Sequence, residues 1–119
     1  MVENVKMVIA VRKDLDLGKG KIAAQAAHAA VSCALKAEKY EKKLFKEWLK
    51  GGQKKIVIRV ENEAALMDLK RKIEPLGIVH ELVNDAGRTQ IAPGTATCLG
   101  IGPVEDDVIE PITGQYSLL

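Results

Sequence analysis

Short apolar runs alternate with longer segments of helical period along this chain of 119 residues. Four of the runs are rich in β-branched residues, which is typical of buried strands. The predicted strands are Val5–Val11, Lys55–Val60, Ile78–Val83 and Thr95–Ile101. Gly102 and Pro103 follow the last run, and we expect this pair to end the fourth strand.

The segments between the strands carry helical signals. The alanine-rich stretch Gly20–Ala37 has no glycine or proline inside it and predicts the first helix. The same period continues over Glu38–Lys50, until Gly51 and Gly52 end it. The apolar side of this second segment is expected to hold Tyr40, Leu44, Trp48 and Leu49.

Two more helices complete the predicted set. Asn62 is placed to cap a helix over Glu63–Glu74, and Pro75 then ends it. A short helix begins within Glu105–Ile109, and the segment Gly114–Leu119 receives no assignment.

The predicted order of elements is β-α-α-β-α-β-β-α. Strands that alternate with helices indicate an α/β layer fold with at least one parallel pair of strands. The loop between the last two strands is too short for a helical crossover, so either these strands run antiparallel or the loop crosses a neighbouring strand. We therefore expect one domain, 1–119, with a four-stranded mixed sheet and helices on both faces.

Composition narrows the class of protein. The chain is 47% apolar and 29% charged, which is an ordinary globular balance. Aromatic residues make up only 3%, which disfavours RNA binding by base stacking. Cys33 and Cys98 are too few for a disulfide scaffold or a four-ligand zinc site, and they are expected to be reduced core thiols.

Apolar sequence is also too short to indicate a membrane protein. The longest stretch, Ile22–Leu35, contains Gln25 and His28 and has too few residues to span a bilayer. No targeting segment is recognisable either, since the run Val5–Val11 is short and is interrupted by Lys6. We expect a cytoplasmic protein without membrane contacts.

Charge is distributed unevenly along the chain. Residues 1–60 carry 14 Lys and Arg against 6 Asp and Glu, whereas residues 61–119 carry 4 against 10. This polarity indicates a basic surface that faces an anionic partner, and a random spread of charges over solvated faces is the alternative.

The start of the first helix is the first candidate site. Gly18, Lys19, Gly20 and Lys21 combine two glycines, two positive charges and the free N–H groups of a helix N-terminus. Such an arrangement binds phosphate. The spacing is not that of a Walker A motif, and its match to GxGxxA through Ala23 is a weak dinucleotide signal. A flexible helix start with solvated lysines is the alternative.

Polar residues on that helix are the second candidate. Lys21, Gln25 and His28 stand at i, i+4 and i+7, so they share one face of an otherwise alanine-rich helix. Histidine suits proton transfer near neutral pH. A core histidine with no chemical role is the alternative.

The segment Asn84–Gly94 is the third candidate, and it lies between the last two predicted strands. Asp85, Arg88, Thr89 and Gln90 are its chemistry-bearing residues. Ligands of α/β sheets bind at loops that follow strand ends, so this loop and the first helix start are expected to converge at one edge. A plain surface turn is the alternative.

The second helix is the fourth candidate because it is rich in lysine. Residues 36–55 hold 8 Lys and 3 Glu, and the side away from the apolar residues carries Lys39, Lys42, Lys43, Lys46 and Lys50. This face can attract phosphates, although a solvated helix face has the same pattern. No GxSxG, HExxH or CxxC motif is present, and with only His28 and His80 and no paired thiols a zinc site is not expected.

Two of these blocks together resemble the archaeal and eukaryotic type of peptidyl-tRNA hydrolase. The segment Asp14–Ala29 is similar to the family's pattern GKxAAQxxHA. The segment Asp85–Ile91, followed by Pro93, Gly94, Thr97, Leu99 and Ile101–Pro103, is similar to its signature DAGxTQI…G…T…L…IGP. The resemblance covers essentially the whole chain.

The resemblance implies a three-layer α/β/α sandwich and a metal-free, cofactor-free hydrolase acting on peptidyl-tRNA. Such an enzyme cleaves the ester between a peptide and the 3′ ribose of tRNA, and a homodimer is expected from the family. Predicted catalytic residues are Lys19, His28, Asp85 and Thr89. Predicted substrate-binding residues are Gly18, Gly20, Lys21, Gln25, Arg88, Gln90 and Thr97. Lys39, Lys42, Lys43 and Lys46 are predicted to contact the tRNA backbone.

Roles within this set remain open at the level of sequence. Asp85, alone or with His28, would orient and activate water, or Asp85 would instead be the ion-pair partner of Lys21. Lys19, Lys21 or backbone N–H groups would hold phosphate or oxyanion. A non-catalytic RNA- or protein-binding module and a nucleotide-binding regulator are the competing functions.

Overall fold

The computed structural model describes residues 4–85 and 94–119. Its elements are β1 (Val5–Arg12), α1 (Lys19–Tyr40), α2 (Lys42–Lys50), β2 (Lys55–Val60), α3 (Glu63–Ile73), β3 (His80–Asn84), β4 (Ala96–Glu105) and α4 (Asp106–Thr113). A 3-10 turn over Glu74–Leu76 follows α3. The predicted order of strands and helices is confirmed.

The four strands form one mixed sheet in the order β2-β1-β4-β3. Strand β1 runs parallel to β2 and antiparallel to β4, and β3 is also antiparallel to β4. The predicted four-stranded mixed sheet is therefore confirmed. The open question about the last two strands is also answered, because β3 and β4 are antiparallel neighbours.

Helices cover both faces of the sheet and make the three layers that were expected. Alternate side chains of β1 enter two separate cores. Met7 and Ile9 pack with residues of α1 and α2 on one face. Val8 and Ala10 pack with residues of α3 and α4 on the other face. The period of two in a strand thus assigns β1 to both cores.

Helix α3 begins as the sequence predicts. The side chain of Asn62 accepts a hydrogen bond from the backbone N–H of Ala65 at 2.9 Å, which is the expected N-cap contact. In α4, by contrast, the helix continues past Ile109 to Thr113.

The expected apolar side of the second helix is wrong in part. The first helix runs on to Tyr40, and Glu41 interrupts it with φ −138° and ψ 56° before α2 starts. Tyr40 therefore does not continue the apolar side of α2 and is 67% exposed, and within α2 itself Leu49 faces solvent although Trp48 precedes it. Trp48 is buried, and its indole N–H donates to the carbonyl of Lys54 at 2.9 Å.

The expected end of the fourth strand is also wrong. Strand β4 continues through Gly102 and Pro103 to Glu105, and its pairing with β1 shifts register between Lys6 and Val8. Gly102 has φ 104°, and a Cβ there would lie 2.8 Å from the carbonyl oxygen of Lys6. Glycine therefore permits the irregular pairing that carries the strand past the proline.

The chain's last residues, which the sequence left unassigned, lie along the outer side of β2. The N–H of Arg59 donates to the carbonyl of Ser117, and the N–H of Leu119 donates to the carbonyl of Val57, both at 3.0 Å. These contacts satisfy backbone groups of a strand that is otherwise at the edge of the sheet.

No helix within the described residues is long and apolar enough to cross a membrane.

Candidate active site

The candidate site lies at the end of the sheet where β1 and β3 have their C-termini. These strands point the same way because each is antiparallel to β4. The loop that follows Arg12 leads to α1, and Asp85 directly follows β3. The expectation that the helix start and the aspartate segment converge at one edge is borne out by their contact.

An ion pair joins the two segments. The ammonium nitrogen of Lys21 lies 2.9 Å from Oδ2 of Asp85. The aspartate side chain is 0% exposed and the lysine side chain is 29% exposed. A buried carboxylate requires a partner, since an uncompensated charge in the interior is strongly unfavourable. The pair therefore places a partly exposed cation against a fully buried carboxylate.

Gln25 reinforces the same carboxylate. It stands one helical turn after Lys21, and its Nε2 donates to Oδ2 of Asp85 at 3.4 Å. The backbone carbonyl of Gln25 accepts a hydrogen bond from Sγ of Cys98 on β4, also at 3.4 Å. Gln25 is buried, so its amide is held between the sheet and the aspartate.

The backbone around Asp85 is fixed on both sides. Its N–H donates to the carbonyl of Thr95, and its carbonyl accepts from the N–H of Gly94, both at 2.8 Å. These two bonds close the base of the loop between β3 and β4. The aspartate is thus held by main-chain as well as side-chain contacts.

Thr97, predicted to bind substrate, has a different contact in the structure. Its hydroxyl donates to the carbonyl of Val83 at 3.1 Å, and the residue is only 1% exposed. The pairing of β3 with β4 shifts register between Val83 and Asn84. Thr97 is therefore the extra residue of a β-bulge on β4, opposite the step from Val83 to Asn84 that precedes Asp85.

The start of α1 is open toward solvent. Gly18 is the N-cap residue, no side chain caps the helix, and the first intrahelical bond runs from the N–H of Ile22 to the carbonyl of Gly18 at 3.0 Å. A Cβ at Gly18 or at Gly20 would meet nothing within 4 Å. Free N–H groups and open space next to exposed Lys19 together suit an anionic group.

His28 is not brought together with the ion pair. It lies two helical turns after Lys21, which is about 10 Å along the axis. Its side chain is exposed beside Ala24, Ala27, Val31 and Ser32. Within the described residues the imidazole of His28 has no hydrogen bond or ion pair. The shared face of the polar stripe therefore splits into a buried part and a solvent-facing part.

Three predicted site residues, Arg88, Thr89 and Gln90, lie outside the described residues. Their placement beside the pair stays a prediction. In the sequence they stand between Asp85 and Gly94, whose backbone groups are joined by a hydrogen bond.

The predicted tRNA-contacting lysines, Lys39, Lys42, Lys43 and Lys46, are all exposed. They lie at the far end of α1 from Lys21 and along α2. A helix of 22 residues is about 33 Å long. The basic face is thus well separated from the Lys21–Asp85 ion pair. An elongated polyanion is long enough to contact both regions.

The two cysteines are free and buried, as predicted. Burial raises the pKa of the Cys33 thiol to about 12 and that of Cys98 to about 11. Since the thiolate is the nucleophilic form, these thiols are poor nucleophiles at neutral pH. Among residues 4–85 and 94–119, no three His, Cys, Asp or Glu side chains are grouped so that they could hold a metal ion.

Sequence alone indicates no role for Arg12, the last residue of β1. In the structure its guanidinium contacts Asp14 in the following loop and the carbonyl of Ala96 at the start of β4. Only the arginine-to-aspartate spacing of two residues was visible in the sequence, and the contact with β4 required the fold.

The amino-acid sequence is similar to those of peptidyl-tRNA hydrolases along nearly its whole length. A family model described as peptidyl-tRNA hydrolase PTH2 matches residues 5–119. A peptidyl-tRNA hydrolase of Thermoplasma volcanium is 56% identical over 115 residues, which are 97% of this chain and 98% of that protein. One from Thermoplasma acidophilum is 55% identical over 114 residues, 96% and 97% of the two chains. The mitochondrial peptidyl-tRNA hydrolase 2 of Bos taurus is 47% identical over 113 residues, 95% of this chain and 63% of that protein.

Proposed function

Since the chain belongs to the peptidyl-tRNA hydrolase PTH2 family, we propose that it hydrolyses the ester between a peptide and the 3′ ribose of tRNA. The products are a free peptide and a tRNA that can be charged again. The observation within the fold that supports this function most is the Lys21–Asp85 pair beside the open start of α1. It provides a fixed positive charge next to free backbone donors.

The reaction places simple demands on the protein. A water oxygen adds to the ester carbonyl carbon, and negative charge develops on the carbonyl oxygen. The tetrahedral intermediate then expels the ribose oxygen, which receives a proton that originates from the water. Because the ester is activated toward hydrolysis, the reaction mainly requires a positioned water and oriented hydrogen-bond donors for the oxyanion.

Lys21 is the residue that we assign to the developing oxyanion. Its side chain is partly exposed, and its ammonium lies 2.9 Å from the buried carboxylate of Asp85. A preorganised donor of this kind stabilises charge in the transition state without reorganising. In this assignment Asp85 acts through Lys21, and Gln25 keeps the carboxylate in place.

Lys19 and the backbone at Gly18 and Gly20 are assigned to the phosphate of the terminal nucleotides. The exposed lysine, the free N–H groups of the first helical turn and the absence of side chains on the glycines support this assignment. Thr89 is proposed to position the water or the ester, while Arg88 and Gln90 contact substrate, as the family resemblance implies.

His28 is assigned no proton transfer at the ester, because its exposed side chain lies about two helical turns from Lys21. A single domain over 1–119, a cytoplasmic location and assembly as a homodimer also stay part of the proposal.

The lysine face of α2 is proposed to hold the body of the tRNA. We expect replacement of Lys42, Lys43 and Lys46 by Gln to weaken binding of deacylated tRNA and to raise KM. The slope of log binding constant against log salt should become shallower by about 0.7 to 0.9 for each phosphate that the variant no longer neutralises.

A matched control is the pair Lys70→Gln and Lys72→Gln on α3, which packs on the opposite face of the sheet. Fluorescence titrations at several salt concentrations give the slopes. If the α2 variant keeps the slope of the unmodified protein, this face does not contact the tRNA backbone.

Chelation tests the proposed function as a whole. We expect purified protein to release free tRNA from an N-acylaminoacyl-tRNA at the same rate with and without EDTA, because the proposed chemistry uses side chains and backbone donors alone. Acid-gel separation of charged and free tRNA measures this release. Tight binding without turnover would instead identify a non-catalytic binding module, and turnover abolished by EDTA would contradict the metal-free mechanism.

A further inference from the structure

Arg12 connects the two segments that form the candidate site. We propose that Arg12, held by Asp14, is a positioning residue for the hydrolysis, because it fixes the loop before α1 to the start of β4 and so sets the contact between Lys21 and Asp85. This inference rests on the proposed function.

The first half of the connection is a two-point contact with Asp14. Nε of Arg12 donates to Oδ1 of Asp14 at 3.0 Å, and Nη2 donates to Oδ2 at 2.9 Å. The hydrogen bond from Arg12 lowers the pKa of the Asp14 carboxyl, so the pair stays ionised at neutral pH. A paired fork of this kind fixes direction as well as distance.

The loop that contains Asp14 has a backbone contact of its own with the sheet. The N–H of Lys13 donates to the carbonyl of Val60 at 2.8 Å, which anchors the loop to β2. Asp16 has φ 49°, a left-handed turn conformation. Asp14 lies between Lys13 and Asp16. Through its side chain, Arg12 holds the segment that leads to α1.

The second half of the connection reaches β4. Nη1 of Arg12 donates to the carbonyl of Ala96 at 2.9 Å. Ala96 is paired with Asn84, and its neighbour Thr95 accepts the N–H of Asp85. The carbonyl held by Arg12 is therefore one residue from the backbone bond that fixes Asp85.

A direct contact between Arg12 and a tRNA phosphate fits the geometry less well. The Arg12 side chain is only 10% exposed, and each of its three nitrogens already donates to Asp14 or to Ala96. Glu63 adds a more distant carboxylate, 3.8 Å from Nη1. Arg12 thus acts on the substrate through Lys21 and Asp85.

The experiment measures kcat and KM for an N-acylaminoacyl-tRNA with two variants, Arg12→Lys and Asp14→Asn. The first keeps the charge but loses the fork, and the second keeps the shape of a half-exposed side chain. We expect kcat to fall about tenfold to a hundredfold, because small displacements of reacting groups are costly. KM and its salt dependence should stay within about twofold.

Amide hydrogen exchange supplies a readout that is independent of turnover. Exchange at the N–H groups of Asp85 and Gly94 should become faster in both variants, since the bonds that protect them adjoin the carbonyl held by Arg12. Arg71→Lys, in an exposed pair on α3, is the matched control and should change neither exchange nor kcat.

Three results would overturn the proposal. A lowered melting temperature with unchanged kcat would make Arg12 purely structural. A raised KM with a shallower salt dependence would make it a phosphate ligand. Unchanged exchange at Asp85 would show that the connection does not reach the site. An inactive unmodified protein would refute the proposed function instead, and the exchange result would still show whether Arg12 fixes the backbone at Asp85.

Discussion

Replacement of Asp85 by Asn is expected to reduce the single-turnover rate of peptidyl-tRNA hydrolysis by about 10²- to 10³-fold. The substitution keeps the shape of a side chain that is 0% exposed but removes the charge that holds Lys21 at 2.9 Å. The ammonium is then free to move away from the ester carbonyl. Rapid-quench measurement with N-acylaminoacyl-tRNA gives the rate, and circular dichroism verifies the fold.

A double-mutant cycle with Lys21 separates two roles of Asp85. A carboxylate that only anchors Lys21 acts through that residue alone, whereas a general base contributes to the rate independently of it. His28→Ala, measured alongside, should lose far less rate than Asp85→Asn. An Asn variant with the rate of the unmodified enzyme would remove Asp85 from the mechanism.

Replacement of Gly100 by Ala is expected to lower the free energy of unfolding by about 1 to 3 kcal/mol, as overpacking of a core does. Gly100 lies on β4 directly beneath α1. A Cβ there would lie 2.7 Å from Sγ of Cys33 and 3.0 Å from the carbonyl oxygen of Ala29. Since the second of these atoms is backbone, α1 would have to move away from the sheet. Urea unfolding with linear extrapolation measures the change.

Gly20→Ala is the matched control for this measurement. A Cβ at Gly20 meets nothing within 4 Å, and the residue lies inside α1. This change should cost no stability and should add up to about 1 kcal/mol, because it reduces the freedom of the unfolded chain. Adding Cys33→Ala to the Gly100 variant should restore part of the loss. A Gly100 variant as stable as the unmodified protein would show that α1 does not need this close approach.

The elements and their order could be predicted because local signals decided them. Short apolar runs rich in β-branched residues defined the strands, and Asn62 defined a helix start. The break at Glu41 could not be predicted, because the sequence continues with helical period across it. The course of β4 past Gly102 and Pro103 was also hidden, since its pairing with β1 depends on a distant backbone contact at Lys6.

The location of the candidate site could be predicted from the sequence, but the burial of its residues and the contact of Arg12 could not. The i, i+4 spacing of Lys21 and Gln25, and the position of Asp85 after a strand, predicted a shared location at the sheet edge. Burial separated Gln25 from His28, and spacing alone could not show that. The role of Arg12 depends on a contact with Ala96, 84 positions away along the chain, which only the sheet order creates.

A double-mutant cycle on the ion pair tests the central claim that Lys21 and Asp85 act as one unit on the ester. Single-turnover rates are measured for Lys21→Met, Asp85→Asn and the double variant, at temperatures well below each melting point. We predict that the double variant loses no more rate than the more impaired single variant, because either change dismantles the same unit. Losses that multiply in the double variant would show independent contributions and would contradict this claim.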